Sequence, residues 1–183
     1  MVYRMTQNHA HMRGNRGTIR LLRPGELPLY LNHLLRLDEE ARELRFDHAM
    51  DDAAIQAHCL KLSTAGAQIL GAFVDDAVRG AAELSPTLDP HLTATELMFS
   101  VEPAFQCQGI GTSLMAKALQ TIYPKPTVMF CRERNLGMIA LAETFGAKIW
   151  RAEDYLALAI VTDDAGTNLQ GGAGIPETQV CGV

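Results

Sequence analysis

Apolar positions recur along the chain in two rhythms, and the changes between them mark out its elements. TIRLLR (18–23) reads as a first strand, closed by Pro24-Gly25. LPLYLNHLLRL repeats apolar residues at helical spacing, and DEEARELRF continues as a short second helix after Asp38. DDAAIQAHCLKL (51–62) predicts a third helix. The period then shortens: AQILGAFV and AVRGAAEL flank a two-aspartate turn and predict a hairpin. TATELMFSV (93–101) alternates, with Leu97, Phe99 and Val101 on one face and Glu96, Met98 and Ser100 on the other.

After a glycine loop, Ile110, Leu114, Ala118 and Ile122 fall on one face of a helix that Pro124 and Pro126 stop. TVMFC predicts a strand, and NLGMIALAETF a helix with Asn135 as its N-cap and Gly146 as its terminator. AKIW and YLALAIV predict two closing strands joined around Glu153-Asp154. Strand, helix, strand, helix over 93–145 implies a parallel crossover within a largely antiparallel sheet, a mixed α/β domain. Residues 1–17 are polar and 163–183 are Gly-rich with few large apolar residues. Both read as poorly ordered tails around a folded domain over 18–162.

Composition narrows the class without naming a function. At 183 residues, 48% of them hydrophobic, the chain is one domain with a real core. No apolar run reaches the roughly 18 residues of a membrane span, and the N-terminus lacks the apolar stretch of a secretory signal. Cys59, Cys107, Cys131 and Cys181 form no CxxC pair, so free thiols in the cytoplasm are expected. A net charge of −5 argues against nucleic acid as the partner. His9 and His11 form HxH within a tail, so no metal site is expected. Nothing selects between a monomer and a homodimer.

The stretch with chemistry in it is QCQGIGTSLM, from Gln106. Its glycines let the backbone take positive φ and let a ligand approach the main chain. A helix N-terminus follows at once, with unpaired N–H groups that favour anions. The loop therefore reads as a phosphate cradle. A P-loop NTPase would need a Lys after Gly111, where Thr112 and Ser113 stand instead. A dinucleotide fingerprint would need a third glycine where Leu114 stands.

QCQGIG, between an alternating strand ending VEP and an amphipathic helix, resembles the [R/Q]-x-x-G-x-[G/A] signature of the GCN5-related N-acetyltransferases (GNAT). The likeness in element order runs from about residue 68 to 162. It implies a twisted, mostly antiparallel sheet with helices on both faces, whose central parallel strands splay at one end. It also implies acetyl-CoA as co-substrate and an amine acceptor, either a protein lysine or a small molecule. The pantetheine arm would pair with Phe99, Ser100 and Val101. The loop from Gln106 through Cys107, Gln108, Gly109, Ile110, Gly111 and Thr112 to Ser113 would hold the pyrophosphate. Asn135 would lie beside the pantetheine or act only as a helix cap.

A finer resemblance joins TATELMFSVEP to the "AEFAV" strand of bacterial protein-lysine acetyltransferase domains, which implies Glu96 as general base. DEEARELRF resembles their S-x-x-[SR]-R-x-RF stretch, which implies that Arg42, Arg45 and Phe46 line the acceptor entrance. One departure is Ala142, where many members carry a Tyr that protonates the leaving thiolate. That gap keeps open a non-catalytic acyl-CoA sensor on the same fold. Cys107 and Cys131 are expected to pack, not to act as nucleophiles, and Trp150 and Tyr155 to serve as core or cleft wall.

Overall fold

A computed structural model of the chain describes residues 17–87, 93–152 and 155–160. The expected tails, apart from Gly17, and the turn at Glu153-Asp154 lie outside the described residues. Strand β1 (Thr18–Leu21) leads to helices α1 (Leu27–Leu35), α2 (Glu39–Phe46) and α3 (Asp52–Ala65). Asp38 and Asp51 cap α2 and α3, accepting from the amides of Ala41 and Ala54 at 2.8 and 2.7 Å. Each cap satisfies an N–H that the helix itself leaves unpaired, which is why both helices start where an aspartate precedes them.

The hairpin β2 (Gln68–Val74) and β3 (Ala77–Pro86) turns at Asp75 and Asp76, both with positive φ, the conformation that matches strand twist. Strand β3 runs two residues beyond the expected segment, because pairing with β4 (Thr95–Val101) carries it to Pro86. A single 3-10 turn (Pro103–Phe105) then leads to α4 (Ile110–Ile122), β5 (Thr127–Cys131), α5 (Leu136–Thr144), β6 (Lys148–Ala152) and β7 (Tyr155–Ile160).

These strands form one sheet in the order β1-β2-β3-β4-β5-β7-β6. All neighbours are antiparallel except β4 and β5, the expected parallel pair. One core lies between the sheet and α4 and α5, and gathers Leu70, Leu84, Leu97, Leu114, Met129 and Leu158. A second core lies under α1 and α3, with Tyr30, Leu34, Ile55, Ile69 and Ala81. The alternation in β4 is as expected: Leu97 is buried in the first core, and Phe99 and Val101 pack against it. Gly80 lets α4 press close to β3, since a Cβ there would lie 2.8 Å from Ile110 Cγ2.

Candidate active site

Strands β4 and β5 pair only at Thr95–Thr127 and Glu96–Val128. Beyond Glu96 the ladder stops while both strands continue, so the sheet opens into a V toward their C-terminal ends. The other edge of β4 stays bonded to β3 as far as Val101, opposite Gly80. The edge facing the gap therefore presents main-chain groups of Leu97–Val101 to whatever enters it.

The chain leaves β4 at the rim of this V and enters the glycine loop. Gln106 Nε2 donates to the Val101 carbonyl at 3.1 Å, and Gln108 Nε2 to Ala104 at 3.0 Å. Both side chains thus brace the loop. Cys107 and Gly109 have φ of 57° and 82°, left-handed backbone on either side of Gln108. Such a run turns successive amides toward one side and suits an anion. Gly109 is the N-cap of α4 and supplies no capping side chain, which leaves the first amides of α4 without one. A Cβ at Gly109 would meet nothing within 4 Å, so the glycine answers to backbone conformation and not to crowding from within. Ser113, in the first turn of α4, has a buried hydroxyl with no partner among the described residues. Bare amides, open space and an orphaned hydroxyl fit a pyrophosphate.

At the closed end of the V stands Glu96. It shares a face with Met98 and Ser100, and across the ladder with Ser85 and Glu83. Its carboxylate makes no hydrogen bond among the described residues. Burial pushes its pKa above the ordinary carboxylate value; the positive Arg45 opposes this and the negative Glu83 adds to it. A half-buried, unpaired carboxylate with a raised pKa is suited to take a proton.

Arg45 and Arg42 sit elsewhere than expected. Arg45 is buried beneath α2, where its Nη2 donates to Glu83 Oε2 at 2.7 Å and to the Tyr30 hydroxyl at 3.0 Å. Tyr30 donates to the same Glu83 oxygen at 3.1 Å, and His58 Nε2 lies 3.0 Å from it. Arg42 donates to the carbonyls of Leu35, Leu37 and Met50 at 2.8, 3.0 and 3.2 Å and pairs with Asp52. The Leu35 carbonyl is an orphan of the α1 C-terminus, so Arg42 joins α1 to the start of α3. Phe46 packs edge-on against His58 and beneath the Arg45 guanidinium. All three residues are engaged in contacts within the fold.

Asn135 is both cap and tie. Its Oδ1 accepts from the Met138 amide at 3.1 Å, and its Nδ2 donates to the Leu44 carbonyl of α2 at 3.2 Å. Arg132–Asp47 and Arg134–Glu43, each at 2.9 Å, strap the same loop to α2. Ala142 is fully buried in the α4–α5 core, so that position offers no hydroxyl.

A second buried network escapes sequence reasoning. His33 Nε2 lies 2.9 Å from Ser100 Oγ, and Nδ1 lies 3.3 Å from Glu102 Oε1. Glu102 is also held by Arg36 at 2.9 Å and Arg79 at 3.1 Å. Burial alone would raise the Glu102 pKa, but His33 and the two arginines outweigh it and bring the value down to about 2. An ionised Glu102 can only accept, so Nδ1 carries the His33 proton and Nε2 accepts from Ser100. Burial also holds the His33 pKa below its ordinary value. A neutral imidazole beside an acid already matched by two arginines gives little drive to remove the serine proton. The network locks α1 to the end of β4.

The family model for the acetyltransferase (GNAT) family matches residues 31–147, and the chain belongs to that family. It is an N-acetyltransferase with acetyl-CoA as co-substrate. Among solved structures it is similar to the GNAT domain of S. lividans PAT, at 13% identity and TM-score 0.64, over 79% of this chain and 89% of that one. It is also similar to a spermidine N-acetyltransferase from Vibrio cholerae in complex with CoA and spermine: 18% identity, TM-score 0.62, 80% and 95% covered. A third is the ribosomal-protein-alanine N-acetyltransferase from Brucella melitensis: 18% identity, TM-score 0.62, 79% and 99% covered. A search of curated proteins finds no match.

Proposed function

We propose that this protein transfers acetyl directly from acetyl-CoA to a primary amine held at the closed end of the V, with Glu96 as general base. The reading rests on the Glu96 carboxylate, without a hydrogen-bond partner among the described residues, at the point where β4 and β5 part. A lysine-like amine has a pKa of about 10.4, so only a small fraction is neutral at pH 7, and a base must take its proton. A C–N bond forms, the C–S bond breaks, the amine proton passes to Glu96, and the thiol leaves as thiolate. With Ala142 in place of a hydroxyl donor, the thiolate leaves unprotonated, which a thiol pKa near 8.5 tolerates.

Main-chain groups of Phe99, Ser100 and Val101 hold the pantetheine arm, and the loop from Gln106 to Ser113 holds the pyrophosphate. Asn135 fixes the start of α5 beside them. The transferase domain spans 18–162 and works in the cytoplasm, in keeping with the unpaired cysteines. Acceptors do not carry over from neighbours below 20% identity, whose names range from spermidine to ribosomal-protein alanine. The test is CoA release from acetyl-CoA with and without a panel of amines. Amine-stimulated release with a mass-shifted acceptor is expected; CoA binding with no stimulation by any amine would make the protein an acyl-CoA sensor.

A further inference from the structure

Asp47 at the end of α2 reaches Arg132 and Tyr155, while helices α1 and α2 pack on the Glu96 face of the sheet over β3 and β4. Beyond β4, the same face continues across β5, β7 and β6 by register. Glu96 is level with Val128, and two residues on, Phe130 is level with Ala157 and then Trp150. Cross-strand partners share a face, so Phe130, Ala157 and Trp150 form one row. Phe130 is 41% exposed and Trp150 45%, while Ala157 between them is buried. Neither aromatic belongs to either core. Two large aromatic side chains flanking an alanine make a shallow apolar shelf continuous with the floor on which Glu96 stands.

We propose that this shelf seats large apolar side chains flanking the reactive lysine of a peptide, making the acceptor a peptide amine and not a polyamine. The inference rests on the reading that Glu96 marks the amine. Phe130 lies about 7 Å along β5 from the Glu96 level, and Trp150 about 10 Å farther across two strands. An extended peptide advances about 3.3–3.6 Å per residue, so side chains about two to five residues from the lysine reach the row. Charge points the same way. The next row back, Glu96–Val128–Ala159–Lys148, puts an ammonium on this face, and among the described residues its one carboxylate is Glu96, which takes the reactive amine. The trailing cations of a polyamine would meet Lys148 and find no partner there, whereas an apolar flank gains by burial.

Trp150 is the sole tryptophan, so its emission reports on the shelf itself. The full chain with CoA is titrated with an end-blocked heptapeptide whose central lysine is flanked by Phe and Leu, with its Gly/Ser-flanked counterpart, and with spermidine. Expected are a saturable blue shift with the first peptide alone and a KM for it at least ~10-fold below that of the Gly/Ser peptide. Phe130→Ala should raise that KM by about the same factor with kcat within about threefold, and Phe130→Leu should restore most of it. Equal KM values, a preference for spermidine, or no emission change at peptide concentrations that saturate turnover would overturn the proposal. So would emission that shifts with protein concentration alone, which would put a second copy on the row. Thermal stabilisation by CoA is read separately: its absence would remove the donor site and this inference with it. Its presence without peptide discrimination would remove the shelf only.

Discussion

Arg45 Nη2 lies 2.7 Å from Glu83 Oε2, and the two side chains are only 3% and 2% exposed. Such a pair is weak evidence for net stability, but losing one member strands the other charge in the interior. Glu83→Gln should therefore destabilise the fold by about 3–5 kcal/mol in denaturant melts. Replacing both residues by apolar ones of similar volume should recover much of that loss. A Glu83→Gln melt indistinguishable from wild type would show that Arg45 finds water instead.

The same pair sets a pH limb. Burial alone would raise the Glu83 pKa, but the His58 hydrogen bond and the Arg45 charge outweigh it and bring the value down to about 2. A depressed folded pKa stabilises above the unfolded carboxylate value and loses that contribution as pH falls through the folded one. Wild type should thus lose stability from about pH 4.5 toward 2, with a flatter slope in Glu83→Gln. Equal slopes in acid melts would count against the pairing.

Acetyl-CoA binding should depend on the bare loop. Gly109 sits at φ 82°, where valine is strained, and Gly111 has only Leu141 nearby, at 3.7 Å from a built Cβ. Either glycine replaced by valine should weaken acetyl-CoA at least ~10-fold, about 1.4 kcal/mol. For Gly111 a Cβ makes only ordinary contact within the fold, so a loss there is assigned to blocking the ligand once the apo melt of the variant matches wild type. Undiminished thermal stabilisation by CoA in both variants would place the phosphate elsewhere.

What could be read from sequence, and what could not, divides by distance along the chain. The faces of β4 were legible because alternation is local, so Leu97 and Glu96 separate without knowing any partner. Asn135 as a cap was legible for the same reason. Arg45 was not: its partner Glu83 is 38 residues away on a strand, and an arginine three residues from Arg42 on an acidic helix looks solvated. Glu83 broke the pattern of AVRGAAEL, a charge at the inward spacing of Ala81, and that is the signal that was available. Ser100 and Glu102 are two residues apart, but His33 lies 67 residues upstream of Ser100 and shares no spacing with them. Trp150 reads as core or cleft wall until strand order makes β6 an edge.

The thiols should be dispensable. Burial pushes the Cys59 and Cys131 pKa values to about 11, so both are protonated near neutral pH. Cys107 is exposed, but it belongs to the loop beyond the V and not to its closed end. Replacing Cys107 and Cys131 by Ser should leave turnover within a few-fold. An acetyl-cysteine trapped on the protein and seen by mass spectrometry would contradict direct transfer.

Glu96 should separate catalysis from stability in opposite directions. Because burial raises its pKa, the folded protein holds a proton at a pH where the unfolded chain has released it. Stability from this group is then present below the unfolded carboxylate value and declines as pH rises through the folded one. Glu96→Gln removes that decline, so its melting temperature at pH 7 should equal or exceed wild type. Near pH 4 the gap should close. Activity should move the other way, with kcat/KM falling about 10²–10⁴-fold near pH 7, the range for general-base catalysis. As pH approaches the acceptor's own pKa, more amine arrives neutral and the deficit should shrink. A deficit constant across pH would assign Glu96 to positioning the acceptor, and wild-type activity at pH 7 would remove it from the mechanism.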